Sequence, residues 1–203
     1  MGAKEKRAKD KEEVRREILD AARDLFANEG YEKFSMRKLA QKIEYPTTMI
    51  YLYFKDKDDL LFAICEDIAG HVFANLTNIE TAQSDPLESL RQALLHLIAF
   101  GFNNPDGYKV FFITNPKVYG TLDEFMEKES MARNSYLAFR EIVKSCIETG
   151  QLQEIDVDVL TQVLTIATRG LAALPVYKTG FPWVDRNVLA YTLVEGLLRG
   201  YQR

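Results

Sequence analysis

The stretch Tyr45-Pro46-Thr47-Thr48-Met49-Ile50-Tyr51-Leu52-Tyr53-Phe54-Lys55 contains no acidic residue, in a chain with 30 Asp and Glu among its 203 residues. A polyanion could approach it without meeting a like charge. Pro46 lacks an N–H and suits the first turn of a helix. Just before it, Ser35-Met-Arg-Lys-Leu-Ala-Gln-Lys-Ile43 puts Leu39, Ala40 and Ile43 on one side and Arg37, Lys38 and Lys42 on the other, with Ser35 as a helix cap. Two short helices joined by a tight turn form the geometry in which one helix enters a DNA major groove while the other braces against the backbone.

Helical periodicity dominates outward from this centre, and no alternating strand pattern of useful length occurs, so the chain reads as all-α with about nine helices. A first helix is expected from about Lys11 to Asn28, with Val14, Ile18, Ala21, Ala22, Leu25 and Phe26 on its apolar face and Gly30 as its stop. Asp56 caps a fourth helix that continues past Phe73 with Leu60, Leu61, Ile64, Ile68 and Val72 as its stripe. Further helices are expected at about Pro86–Phe102, Asp106–Ile113, Leu122–Glu148, Val157–Tyr177 and Asp185–Tyr201, with Asn103-Asn-Pro105, Asn115-Pro116 and Thr149-Gly150 as breaks. The division that follows is residues 1–55, a helix-turn-helix unit whose first ten residues form a partly disordered basic tail, and residues 56–203, a helical body.

Composition narrows the class. Hydrophobic residues make up 47% of the chain, enough for an ordinary core. The longest uncharged run, near Ala93 to Pro105, is short of the roughly 20 apolar residues a membrane span needs, and the charged N-terminus lacks a signal-peptide core, so a cytoplasmic protein without a membrane partner is expected. Cys65 and Cys146 have no second Cys or His at ligand spacing and read as core thiols. With two His, no Gly-rich phosphate loop and no carboxylate–His cluster, neither catalytic residues nor a metal or cofactor is indicated. The net charge of −4 hides an asymmetry: residues 1–60 hold 14 Lys/Arg and 13 Asp/Glu, residues 61–203 hold 12 and 17. Local potential decides docking more than the total does.

The ordered pattern Ile18-Leu-x-Ala-Ala-x-x-Leu-Phe26, Gly30-Tyr31, Ser35-Met-Arg-Lys-Leu-Ala40, Ile50-Tyr-x-Tyr-Phe54 and Lys57-x-x-Leu60 resembles the tetracycline-repressor (TetR) family of bacterial transcriptional regulators. The resemblance implies an all-helical homodimer whose first three helices bind a double-stranded DNA operator and whose remaining helices receive a ligand and dimerise. It implies that Arg37 contacts phosphate or a base edge, that Thr47, Thr48 and Met49 face base edges, that Tyr51 and Tyr53 donate to phosphates, and that Lys57, with Lys55 beside it, neutralises phosphate charge. Three positions depart from the family pattern. The turn that commonly reads Ala-Gly-Val-Ser is Ile43-Glu44-Tyr45-Pro46, which puts Glu44 where Gly tolerates positive φ. Thr48 replaces a common Gly, and Tyr53 a common His. Ile50, Leu52 and Phe54 are harder to divide between core and surface, with Phe54 the expected anchor.

Nine of the 23 aromatic residues lie between Phe100 and Phe139. Phe100, Tyr108, Phe111, Phe112, Phe125 and Tyr136, with His96 and Arg169 as polar orienting groups, are therefore the candidate lining of a pocket for a small apolar or aromatic ligand; core packing is the competing explanation. In the last two helices Leu160, Leu164 and Leu171 and then Leu189, Leu193, Gly196, Leu197 and Gly200 are the candidate dimer interface, against burial in the chain's own body. The expected function is a ligand-released repressor. A helical carrier of small or lipid-type molecules, or an interaction scaffold without DNA binding, is the alternative.

Overall fold

The computed structural model describes residues 3–114, 118–177 and 180–203, and the side chains of these apart from residues 3–10, Thr114 and Leu122. The breaks expected at Asn115-Pro116 and the irregular Lys178-Thr179 lie outside the described residues, as do the side chains of the basic tail. Ten α-helices are present among the described residues: α1 (Ala3–Glu29), α2 (Met36–Lys42), α3 (Thr47–Ile50), α4 (Lys57–Ala82), α5 (Pro86–Asn103), α6 (Pro105–Lys109), α7 (Leu122–Glu127), α8 (Met131–Glu148), α9 (Val157–Ala172) and α10 (Arg186–Tyr201), with a π-helical turn at Val110–Thr114.

The all-α reading holds, and its capping residues act as expected. The Ser35 hydroxyl accepts from Lys38 N, the Asp56 carboxylate accepts from Asp58 N and Asp59 N, and Gly30, at φ 79°, ends α1. Four expectations are corrected. The backbone at residues 3–10, expected as a partly disordered tail, continues α1 back to Ala3. The helix expected over Leu122–Glu148 is two: Lys128 leaves the helical region at ψ 126° and Ser130 caps a new start. The helix expected over Asp106–Ile113 changes to π-helical pitch at Val110. The ninth helix ends at Ala172, short of Tyr177.

Two main cores follow from the apolar stripes. The N-terminal core joins Ile18, Ala22 and Phe26 of α1 to Leu39, Ile50 and Phe54, and is closed by Leu60, Leu61, Ile64 and Ile68 of α4 and by Val110. The division expected at residues 55/56 therefore falls beside a helix whose first three turns pack with the N-terminal unit. The body core gathers Leu76 of α4, Leu90, Leu94 and Ile98 of α5, Phe139, Ile142 and Val143 of α8, Leu160 and Leu164 of α9, and Val194 and Leu198 of α10. A small third cluster, Tyr108 with Ala172 and Ala173, is flanked by Phe100 and Phe112 and ties α6 to the end of α9. Cys65 and Cys146 are buried, and that burial pushes both thiols up to about 12. α4 is long and apolar enough to cross a membrane by length and composition, which the uncharged-run criterion did not register. Its stripe is instead shared between the two cores.

Neighbouring residues of α4 hold the two halves together. The Glu66 carboxylate accepts from Met131 N at the start of α8 (2.7 Å) and from the Tyr119 hydroxyl (3.0 Å), while Asp67 accepts from Arg23 of α1 (3.1 Å). Ser135 of α8 donates to the Ala69 carbonyl at 2.7 Å.

Close approach of α5 to α9 at Gly101 provides a stability test. A Cβ there would lie 2.5 Å from the Ala172 carbonyl oxygen, so Gly101→Ala is expected to destabilise by about 1–3 kcal/mol. At Gly70 the nearest contact is 3.8 Å, and Gly70→Ala is expected to stabilise by about 0.5–1 kcal/mol through helix propensity. Chemical denaturation of the two variants reads the opposite signs.

Candidate nucleic-acid interface

The candidate reading surface is built by α2, the turn after it and α3. Four bonds carry the backbone on beyond the four residues of α3: Tyr51 N donates to Thr47 O (3.3 Å), Leu52 N to Met49 O (3.1 Å), and Tyr53 N and Phe54 N to Ile50 O (3.0 Å each). A helix this short has no stability of its own. Ile50, fully buried, and Phe54, 3% exposed, pin it to α1 and α2. Tyr45 N donates to Ala40 O at 3.1 Å, and the Tyr45 hydroxyl donates to Glu17 of α1 at 2.7 Å, which fixes the turn against the long helix and raises the phenol's pKa. Glu44 stands at φ 57°, the left-handed region. The turn thus keeps the geometry that the usual Gly serves, with a side chain that is strained there.

Anchoring Ile50 and Phe54 inward sorts the candidate residues. Arg37, Thr48, Tyr51 and Lys55 are exposed, and so is Leu52, at 79%. Thr47 and Met49 are half-buried at the flanks. Tyr53 is half-buried against the N-terminal core, with the Lys11 ammonium 6.0 Å from its ring centroid. Lys57 is also half-buried, its ammonium 3.8 Å above the Tyr31 ring. The Tyr31 hydroxyl donates to the Asp58 carboxylate, and that bond holds the phenol up to about 12. Among the described residues, no acidic side chain pairs with Arg37 or Lys55. Lys38 bonds Glu29 and the Lys33 carbonyl, and Lys42 bonds Asp24 at 3.1 Å, so these two charges turn toward α1. Leu52 is the reading-surface residue that sequence patterning left undivided; only the register set by Ile50 and Phe54 resolves it.

The candidate ligand residues are dispersed. Tyr108, Phe111, Phe112, Phe125 and Tyr136 pack ring to ring through Tyr119, with centroids 4.5–6.4 Å apart. The Arg169 guanidinium lies 4.4 Å from the Phe112 centroid, and the Tyr108 hydroxyl donates to the Arg169 carbonyl at 2.8 Å. These residues line neither of two open cavities, of about 630 and 550 Å³, that run along α4 and α5 and share Asn75, His96 and Ala99. His96 and Phe100 do line the larger one, which ends at Arg23 and Asp24 of α1. Burial lowers the His96 pKa, favouring the neutral imidazole.

The candidate dimer residues also divide. Leu160 and Leu164, each 1% exposed, are spent inside the subunit, and Leu171, Leu193 and Leu197 pack partly against the same core. Leu189 is half-buried. The outward stripe of α9 is instead Val159, Val163 and Ile166, the last 71% exposed, beside Val188 and Tyr191 of α10. Gly196 and Gly200 are exposed with nothing within 4 Å of an added Cβ, so no approach within the chain explains them.

A short helix anchored by its buried side and presented by a capped partner helix defines a helix-turn-helix unit. Residues 18–64 match the model of the bacterial regulatory proteins of the tetR family. Over that segment the chain is similar to the N-terminal unit of those proteins. It is 45% identical over 53 residues to an HTH-type transcriptional repressor of Mycobacterium tuberculosis, a match covering 26% of this chain and 28% of that one. It is 28% identical over 164 residues to the HTH-type transcriptional regulator AcrR of Shigella flexneri, covering 78% and 74%. The chain spans 28–60% of the length of the first four curated relatives it matches. The fold is similar to that of the Bacillus subtilis regulator FadR in complex with stearoyl-CoA, with a TM-score of 0.76 at 20% identity over 92% of this chain and 98% of that one.

Glu44 offers a test of the turn. Glu44→Gly relieves the left-handed strain and returns part of the gain through unfolded-state entropy, so a net stabilisation of about 0.5–1 kcal/mol is expected. A rise of a few degrees in the thermal midpoint checks it.

Proposed function

We propose that the protein is a homodimeric DNA-binding transcriptional regulator, a repressor that leaves its operator when a small ligand binds. The observation that carries this reading is the outward face of the Tyr45–Lys55 segment. It holds no carboxylate, it exposes Thr48, Tyr51 and Lys55, and it lies beside Arg37, which pairs with no acidic side chain among the described residues. Arg37 reads a base edge or holds a phosphate, Thr48 hydrogen-bonds a base edge from the face centre, and Thr47 and Met49 contact bases from the flanks. Tyr51 and Lys55 contact phosphate directly. Tyr53 and Lys57 reach the backbone from the rim, where their rings and stems are already held. Residues 1–55 are the reading domain and residues 56–203 the ligand-receiving and dimerising body.

Two recognition helices read successive major grooves when they stand about 34–36 Å apart. The outer stripe of α9 and α10 pairs with its copy about a two-fold axis to set that distance, with Gly196 and Gly200 allowing close helix approach. The ligand is a small molecule with an apolar or aromatic part. The cavities along α4 and α5 are its seat, since they touch α1 at one end and α10 at the other. FadR, of like fold, holds a fatty acyl thioester, and acyl-CoA is the first probe to try. A ligand that prefers the α4–α5 spacing of the DNA-free state shifts the population away from DNA.

Retention on random duplex DNA is expected to fall steeply and log-linearly with added salt, whereas a carrier or scaffold without DNA binding would show no retention to lose. On DNA selected by the purified protein, Arg37→Ala is expected to weaken binding about tenfold with the melting curve unchanged. Ile166→Glu, which buries charge in the proposed interface, is expected to give monomers by sedimentation with the helical signal intact. A dimer that survives it removes this face from the assembly.

A further inference from the structure

We propose that Leu52 reads base sequence through apolar contact with a thymine methyl group and so helps select the operator; the inference rests on the DNA-binding reading above. A lone exposed leucine is ordinary on a protein surface. Leu52 differs in where its segment puts it. Ile50 and Phe54 are both buried, and Leu52, midway between them in the turn that follows α3, is 79% exposed. Those two anchors are essentially sealed, at 0% and 3% exposure, so the segment cannot roll to bring Leu52 under cover. Leu52 N is held by Met49 O in an i→i−3 turn bond, which fixes its backbone directly after α3. It therefore lies on the outward side of the segment and, among the described residues, is the most exposed of the large hydrophobic side chains.

Its neighbours give that position a chemistry. Thr48, four residues earlier, lies on the same side and adds a hydroxyl and a methyl group. Lys55 flanks the face with a charge that no described carboxylate neutralises, and Tyr51 borders it with an exposed ring. A base-reading surface of this kind meets four base-pair edges in the major groove, and the C5-methyl of thymine is the apolar feature among them. Leu52 has no donor or acceptor. It can discriminate only by that methyl, or by excluding the polar edge of another base.

The test uses the full chain and a duplex enriched by selection on it, with each thymine replaced singly by deoxyuridine, which removes only the methyl. At one position per half-site the replacement is expected to weaken wild-type binding about fourfold, the equivalent of one buried methyl-sized contact. Leu52→Ala is expected to bind the parent duplex about fourfold more weakly and to be indifferent to deoxyuridine at that position. Leu52→Met is expected to recover sensitivity to the methyl, and Leu52→Ser is not. Because the side chain is exposed, all three variants are expected to melt with wild type, separating recognition from folding. Equal deoxyuridine penalties for wild type and Leu52→Ala at every position would overturn the assignment and leave DNA binding standing. Recovery of no duplex at all would defeat the DNA-binding reading and this inference with it.

Discussion

One helix belongs to two cores. Leu60, Leu61, Ile64 and Ile68 of α4 complete the N-terminal core, while Leu76, two turns on, enters the body core. Neither half can bury its apolar surface without it. The polar side chains at the crossing make the joint directional as well as adhesive. Glu66 faces the body, where its carboxylate meets free N–H groups and the positive dipole end at the start of α8. Burial pushes the Tyr119 phenol upward, so it stays a donor to the same carboxylate. Asp67, the next residue, is turned about 100° around the helix and holds Arg23 of α1 instead. The pitch of α4 thus sets the angle between the reading unit and the body.

The π-helical turn shows the same logic from the other side. Val110 is sealed in the N-terminal core, and Phe111 packs partly against it. Phe112 belongs with Tyr108, Ala172 and Ala173 at the end of α9. Three consecutive residues cannot serve two cores at regular α pitch unless the cores lie at matching angles. The wider turn adjusts the register, and such turns recur where function needs local adjustment. A change in α9 therefore has a packed route to α1 that does not pass through α4, and Lys109, bonded to the Ala27 carbonyl, runs beside it.

How much of this was legible in the sequence depends on whether the cause was local. Ser35, Asp56 and Gly30 act on backbone groups within a few residues, and each was readable. The strain at Glu44 was readable too, because a non-glycine at a turn needing positive φ leaves few options. The break at Lys128–Ser130 was not, since Glu66, 65 residues away from Met131, holds the new helix start. The division of α9 failed for a related reason. Leu160 and Leu164 on one side and Val159, Val163 and Ile166 on another are all apolar, and periodicity cannot say which stripe α5 and α8 will claim. The aromatic cluster was equally ambiguous: rings at helical spacing describe a lining or a packed stack, and here they pack on one another. Leu52 had to wait for the register of Ile50 and Phe54.

The charge distribution and the exposed leucine complement each other. An excess of five negative charges over residues 61–203 opposes approach of DNA to the body, so the near-neutral N-terminal unit is the face on which a duplex can settle. On the proposed reading, affinity there from Arg37 and Lys55 would come with counterion release and weaken as salt rises, for cognate and random sequences alike. The proposed contact between Leu52 and a methyl group would involve no counterions, and its strength would not fall with salt. The ratio of specific to random binding is therefore better protected than either affinity alone. That ratio, multiplied by the number of competing sites, decides occupancy in a genome. A reading surface with few unpaired charges and an apolar centre has modest grip on arbitrary DNA, and leaves selection to the residues that touch bases.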